Sequence, residues 1–78
     1  MKMIRMYTTD WCGVCKRARG YFASKGIAYT EIDVEKSDAG RRDFEALGGR
    51  GVPLILVGGK AMNGFSPEGF EQLRQAKP

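Results

Sequence analysis

Only two cysteines occur in this chain, Cys12 and Cys15, in the run Trp11-Cys12-Gly13-Val14-Cys15. Two thiols at that spacing can be oxidised to a disulfide and reduced again, so the pair can carry electrons. Ahead of it, Lys2 to Tyr7 reads as a short strand; behind it, Val14, Ala18, Tyr21 and Phe22 form an apolar stripe of helical period. The pair therefore falls where a strand hands over to a helix. Residues so spaced at a helix start share a face, within reach of the roughly 4.4–6.8 Å Cα separation of a disulfide. The unpaired N–H groups and positive dipole end of the first turn favour a thiolate on Cys12, and Lys16, Arg17 and Arg19 add to the positive field. Cys12 is the predicted nucleophile, and Cys15, one turn deeper, the predicted resolving thiol.

The totals bound what surrounds this pair. Seventy-eight residues predict one domain over residues 1–78, and 42% hydrophobic residues, with four Phe, three Tyr and one Trp, suffice for a modest core. A single pair closing so short a loop constrains the unfolded chain little, so the cysteines are not there for stability. No apolar run is long enough for a signal peptide or membrane span, so the expected location is the cytoplasm and no membrane partner is expected. The net charge of +4 is spread over every segment among nine acidic residues, which argues against nucleic acid as a partner. The cluster Lys16, Arg17 and Arg19 reads first as a solvated helix face, with attraction of anionic thiol substrates as the sharper alternative. There is no His, and two thiolates are half of a tetrahedral metal set. No metal site is therefore assigned; an iron–sulfur scaffold, the reading from another class, requires a dimer or glutathione to complete it, whereas a monomer is expected.

The elements that must position the pair follow in order. Ser24-Lys25-Gly26 stops the first helix, and Ile27 to Val34 is predicted as a strand. Strand, helix and strand in so few residues imply a parallel crossover. Ser37 or Asp38 caps a second helix with Phe44 and Leu47 as its apolar face, ended by Gly48-Gly49. Leu54-Ile55-Leu56-Val57 is predicted as a central strand, and Gly58-Gly59 as the turn into a short antiparallel strand Lys60-Ala61-Met62. The last helix is signed by Ser66 as N-cap, Pro67 at its first position, Glu68, and a staple between Phe65 and Phe70. The predicted order is β-α-β-α-β-β-α, an α/β fold with a four-stranded mixed sheet flanked by three helices. Tyr7, Tyr21, Phe22 and Phe44 are assigned to the core.

Three segments in order resemble the glutaredoxins and their relatives in the thioredoxin-like superfamily: Trp11-Cys12-Gly13-Val14-Cys15 after a strand, Val52-Pro53 before a second strand, and Gly64-Phe65-Ser66-Pro67 before the last helix. The likeness spans essentially the whole chain. It implies a thioredoxin-like (glutaredoxin) fold and a thiol–disulfide oxidoreductase acting on protein disulfides or glutathione mixed disulfides. Glutathione is then the expected co-substrate, with no tightly bound cofactor. It also implies that Pro53 is a cis proline facing the cysteines, where the backbone of Val52 pairs with an extended thiol peptide. Trp11, Gly13, Val14, Arg50, Gly64, Phe65 and Ser66 are the further residues assigned to substrate or glutathione binding.

Three departures bear on the branch. Glutathione-using glutaredoxins often carry Pro-Tyr between the cysteines, a basic residue three positions before the first, and Gly-Gly followed by Asp at the last helix. Here those places hold Gly13-Val14, Thr9, and Asn63-Gly64 with Ser66. Ser66 offers no carboxylate to the glutathione amine, although its N–H and hydroxyl suit a carboxylate at a helix start, and Arg50 can clamp another. Gly64-Phe65-Ser66-Pro67 is similar to NrdH-type redoxins, which take electrons from thioredoxin reductase and pass them to ribonucleotide reductase. Thr8 to Gly13 looks like mycoredoxins and thioredoxins. A glutathione-linked glutaredoxin is the leading expectation and an NrdH-like redoxin the alternative. Asp10 is expected to be a surface or capping residue, with proton handling as its other role.

Overall fold

A computed structural model describes residues 3–75. Its elements run β1 (Ile4–Thr8), α1 (Gly13–Lys25), β2 (Thr30–Asp33), α2 (Asp38–Ala46), β3 (Leu54–Val57), β4 (Lys60–Asn63) and α3 (Pro67–Gln75). This is the predicted order, and the sheet is mixed: β2-β1-β3-β4, with β1 parallel to β2 and antiparallel to β3, and β3 antiparallel to β4. Lys2, assigned to the first strand, lies outside the described residues.

The strand period of two splits the sheet into two apolar faces. Ile4 and Met6 of β1 join Ile55 and Val57 of β3 on one face, packed against Ala18 and Phe22 of α1 and Phe70 of α3. Phe22 is the hub of that layer, with ring centroids 4.7 Å from Tyr29, 5.0 Å from Phe70 and 6.1 Å from Phe65. Tyr7 and Leu54 point the other way, onto Val34, Ile32, Phe44 and Val52 under α2. Of the assigned core aromatics, Tyr7 and Phe22 are buried, whereas Tyr21 and Phe44 are half-buried against these clusters.

Two boundaries differ from expectation. β2 is confined to Thr30–Asp33 instead of running from Ile27 to Val34. Its parallel register begins with Arg5 opposite Thr30, and Tyr29, one step earlier, packs its ring on Phe22. Leu47 is the C-cap of α2 and 39% exposed, not part of its apolar face, which Phe44 supplies alone. The glycine stop of α1 is as predicted: Gly26 sits at φ +65°, and Ile27 N–H donates to the Phe22 carbonyl at 2.9 Å.

Register places the functional loops. Tyr7 pairs with Leu54 and Leu54 with Asn63, so the loop leaving β1, the loop entering β3 and the loop leaving β4 all lie at one end of the sheet. The loop after β2 joins them, because Thr8 pairs with Asp33 and Val34 N–H donates to the Thr8 carbonyl at 3.0 Å.

Candidate functional site

Cys12 is the N-cap of α1. Its backbone is extended (φ −84°, ψ 110°), and its Sγ accepts the Cys15 N–H at 3.1 Å. A sulfur takes the place that a Ser or Asp oxygen usually holds at a helix start, and it satisfies one of the orphan donors there. The Cys12 carbonyl accepts from Lys16 N–H at 3.3 Å. Cys12 is 8% exposed and Cys15 is fully buried; both are free thiols. Burial pushes the Cys15 thiol up to about 12, reinforced by the neighbouring Cys12 and opposed by a backbone hydrogen bond from Thr9 and by the charge of Arg19. Cys15 is therefore a protonated thiol at neutral pH. One slightly exposed sulfur at a helix start and a second, fully buried one a turn deeper can together carry out thiol–disulfide exchange.

The residues flanking the pair are held from the loop after β2. Trp11 is 74% exposed and its Nε1–H donates to Glu35 Oε1 at 2.6 Å. The indole thus stands largely in solvent, beside the nucleophile position. Asp10 pairs with Lys36 Nζ at 2.9 Å, and that ammonium holds its carboxyl below the usual range. Asp10 is thus a paired surface residue. Gly13 is exposed, and a Cβ built there meets nothing within 4 Å, so packing within the chain does not require a glycine. Val14 is half-buried.

Across the same sheet end, the Val52–Pro53 peptide bond is cis. Pro53 is buried and its carbonyl accepts from Gly64 N–H at 2.7 Å, while Gly64 takes φ +85°, a conformation glycine tolerates best. Arg50 N–H donates to Asn63 Oδ1 at 3.3 Å, and the Arg50 guanidinium has no partner among the described residues. Val52 is half-buried against Tyr7, Val34 and Leu54. Ser66 Oγ accepts from Gly69 N–H at 3.1 Å, and Phe65 packs on Phe70 with centroids 6.4 Å apart, the predicted cap and staple. Register and these bonds gather Arg50, Val52, Pro53, Gly64, Phe65 and Ser66 at the same sheet end as the cysteine loop.

Three features escaped sequence reasoning. Thr9 is buried, and its hydroxyl, like that of Tyr7, has no hydrogen-bond partner among the described residues. Arg19 does not join Lys16 and Arg17 in an open basic face: its guanidinium forks onto Glu31 of β2, with Nε 2.9 and 2.8 Å from the two carboxylate oxygens and Nη2 at 2.6 Å. Glu31 also accepts the Thr8 hydroxyl at 3.0 Å. The placement of Arg19 four residues after Cys15, and of Glu31 on a short strand parallel to β1, was the available signal. Among the described residues no three His, Cys, Asp or Glu side chains group to hold a metal ion, and no helix is long and apolar enough to cross a membrane.

Comparison with known proteins adds to this geometry. The family model described as Glutaredoxin matches residues 4–62. An uncharacterised glutaredoxin-like 8.6 kDa protein from the rubredoxin operon of Clostridium pasteurianum is 31% identical over 72 residues, 91% of this chain and 96% of its own. The glutaredoxin-like protein NrdH of Escherichia coli K12 is 25% identical over 73 residues, covering 94% of this chain and 90% of its own. Among solved structures, a thioredoxin-like protein superposes with a TM-score of 0.81 at 30% identity, over 90% of this chain and 97% of that one.

Proposed function

The chain belongs to the glutaredoxin family, a thioredoxin-fold redox protein with a Cys-x-x-Cys pair, and from that premise we propose that it is a dithiol disulfide reductase with Cys12 as nucleophile and Cys15 as resolving thiol. One observation carries this reading: Cys12 Sγ caps α1 on the Cys15 N–H while Cys15 itself is fully buried behind it. The Cys12 thiolate attacks a substrate disulfide and expels one thiolate, leaving a mixed disulfide. Cys15 loses its proton, attacks the Cys12 sulfur and expels the second thiolate, which takes up a proton. The protein is left with a Cys12–Cys15 disulfide, and two electrons have passed to the substrate. A donor then reduces that disulfide by the reverse exchange. An extended substrate segment pairs with the backbone beside Pro53, and the exposed Trp11 ring meets the partner. Such a pair works where thiols are kept reduced, which fits the cytoplasm.

A second reading concerns the donor, and two observations favour thioredoxin reductase over glutathione. Thr9, at the place where glutathione-using relatives carry a basic residue, is buried and presents no charge. Ser66, where those relatives carry Asp, offers no carboxylate to the glutathione amine. Arg50, with a guanidinium that no described residue engages, supports the glutathione arm. The test is NADPH consumption by the oxidised protein in two parallel mixtures, thioredoxin reductase alone and glutathione with glutathione reductase. Turnover confined to the first makes it an NrdH-like redoxin, with ribonucleotide reductase the next substrate to try. Turnover confined to the second restores the glutathione-linked reading, and turnover in neither overturns the dithiol reductase.

A further inference from the structure

Resting on the dithiol reading, we propose that Arg19, fixed by Glu31 and Thr8, supports the resolving step electrostatically: its charge stabilises the Cys15 thiolate as that sulfur attacks the mixed disulfide on Cys12.

The need for such a group follows from burial. Cys15 must ionise to attack, yet it is fully enclosed. A desolvated thiolate is costly unless a donor or a cation faces it. Two groups bear on it: the Thr9 backbone through a hydrogen bond, and the charge of Arg19, which lies one helical turn beyond Cys15 on the same side of α1. The ionisable groups bearing on Cys15 are Cys12 and Arg19, both on its own helix; Glu31 of β2 bears on it through Arg19, and Asp10 and Tyr29 bear on that pair.

Arg19 is held where its charge can act. A free arginine on a helix would extend into water, and its field would be screened. This one is fastened by three contacts to the Glu31 carboxylate, which is itself fastened by the hydroxyl of Thr8 at the end of β1, one residue before Thr9. The same short stretch, Thr8-Thr9, therefore anchors both groups that favour the anion. Lys16 and Arg17, by contrast, are exposed and have no such anchor among the described residues.

An ion pair that merely straps α1 to β2 makes a different prediction from one whose cation acts on sulfur. A strap is broken equally by neutralising either partner. A field is not: Arg19→Gln removes the favourable charge, whereas Glu31→Gln removes an opposing one and keeps an amide oxygen that still accepts from the Arg19 guanidinium and holds it in place. The step is read with one equivalent of dithiobis(nitrobenzoate) mixed rapidly with the reduced full-length protein. The first coloured thiolate is released when Cys12 attacks the reagent, and the second when Cys15, having given its proton to solvent, attacks the Cys12 sulfur. Each unit by which the Cys15 thiol is weakened as an acid slows the second release about threefold, since part of the lost thiolate is repaid in nucleophilicity.

The expected result is a second release slowed about three- to tenfold in Arg19→Gln, with the first unchanged and the pH profile of the second displaced upward. Arg19→Lys should restore most of the rate, and Glu31→Gln should leave the second release at the wild-type rate or faster. Equal slowing by Arg19→Gln and Glu31→Gln, or a second release indifferent to Arg19→Gln, overturns the proposal. If Arg19→Gln does not fold, the opposed responses of Arg19→Lys and Glu31→Gln still decide: slowing in Glu31→Gln with the charge of Arg19 intact counts against a field. A wild-type protein that shows no second release at all refutes the dithiol reading instead, and the proposal with it.

Discussion

All three helices among the described residues begin with the same local geometry, and only one of them starts with side chains that can do redox chemistry. Ser37 Oγ accepts from Gly40 N–H at 3.0 Å at the start of α2, and Ser66 Oγ accepts from Gly69 N–H at 3.1 Å at the start of α3. Cys12 Sγ accepts from Cys15 N–H at 3.1 Å at the start of α1. In each case the capping side chain reaches the donor three residues on, and in the two inert helices that residue is glycine. At α1 the two places are both cysteine. The redox pair is thus an ordinary helix cap in which sulfur replaces the cap oxygen and a thiol replaces the glycine hydrogen. The backbone positions two sulfurs with a motif it already uses twice for stability alone.

Cys12→Ser makes α1 resemble the other two helices and breaks the comparison most sharply. An oxygen at the cap preserves the bond to the Cys15 N–H, so the melting temperature should stay near the wild-type value while disulfide reductase turnover disappears. Loss of the fold in this variant, seen as a lost thermal transition, would show that the sulfur is needed for more than its reactivity. In the same Cys12→Ser background the remaining thiol reports its own acidity. Burial, the largest cause that pushes the Cys15 thiol above an ordinary 9.0, remains in this variant, so at about threefold per unit its alkylation at neutral pH should run about ten- to thirtyfold slower than a free thiol's and rise about tenfold per pH unit until the thiol itself ionises. Alkylation at the rate of a free thiol would remove the reason for any group, Arg19 included, to assist it.

The two inert caps also differ from each other. A Cβ at Gly40 would lie 2.4 Å from Ile32 Cγ2 and 3.1 Å from Ser37 Oγ, against a short branched side chain packed under the sheet. A Cβ at Gly69 would meet Ser66 Oγ at 2.8 Å and Met62 Cε at 3.3 Å, the second being the far end of a flexible chain. Gly40→Ala should therefore destabilise by about 1–3 kcal/mol through overpacking, a fall of about 4–8 °C in melting temperature per kcal/mol, and Gly69→Ala by less. Equal effects would mean that the cap, not the packing of Ile32, sets the requirement for glycine.

Much of this was legible in the sequence because caps are local. Ser66, Pro67 and the Phe65–Phe70 staple announce α3 with no knowledge of the rest of the chain, and Gly26 stops α1 in the same way. The Cys12–Cys15 spacing announced the pair for the same reason. What was not legible depends on register. β2 begins at Thr30, opposite Arg5 of β1, and not where the β-branched and aromatic run begins at Ile27. The contacts Arg19–Glu31, Trp11–Glu35 and Asp10–Lys36 all join the cysteine segment to β2 or the loop after it. Parallel strands are brought together by a crossover, so nothing in the local sequence indicates which residue of one faces which residue of the other. Sequence alone thus left the Lys16, Arg17 and Arg19 cluster as three equivalent charges, when one of them is tied down.

The mildest test separates the cap of α3 from the ligand role that family resemblance assigns to the same residue. Ser66→Ala removes the oxygen that holds Gly69 N–H and should cost about 1 kcal/mol, whereas Ser66→Gly should cost only a few tenths. If capping is all that Ser66 does, both variants keep wild-type KM and kcat with thioredoxin reductase and in the glutathione-coupled mixture, and only the melting temperature moves. If the hydroxyl also receives a carboxylate of glutathione, KM for glutathione rises in both variants by a similar factor, because both lack it, while stability still ranks Gly above Ala. The two readouts then order the variants differently. That divergence cannot arise from loss of a cap, since a frayed helix start would weaken binding in proportion to its instability.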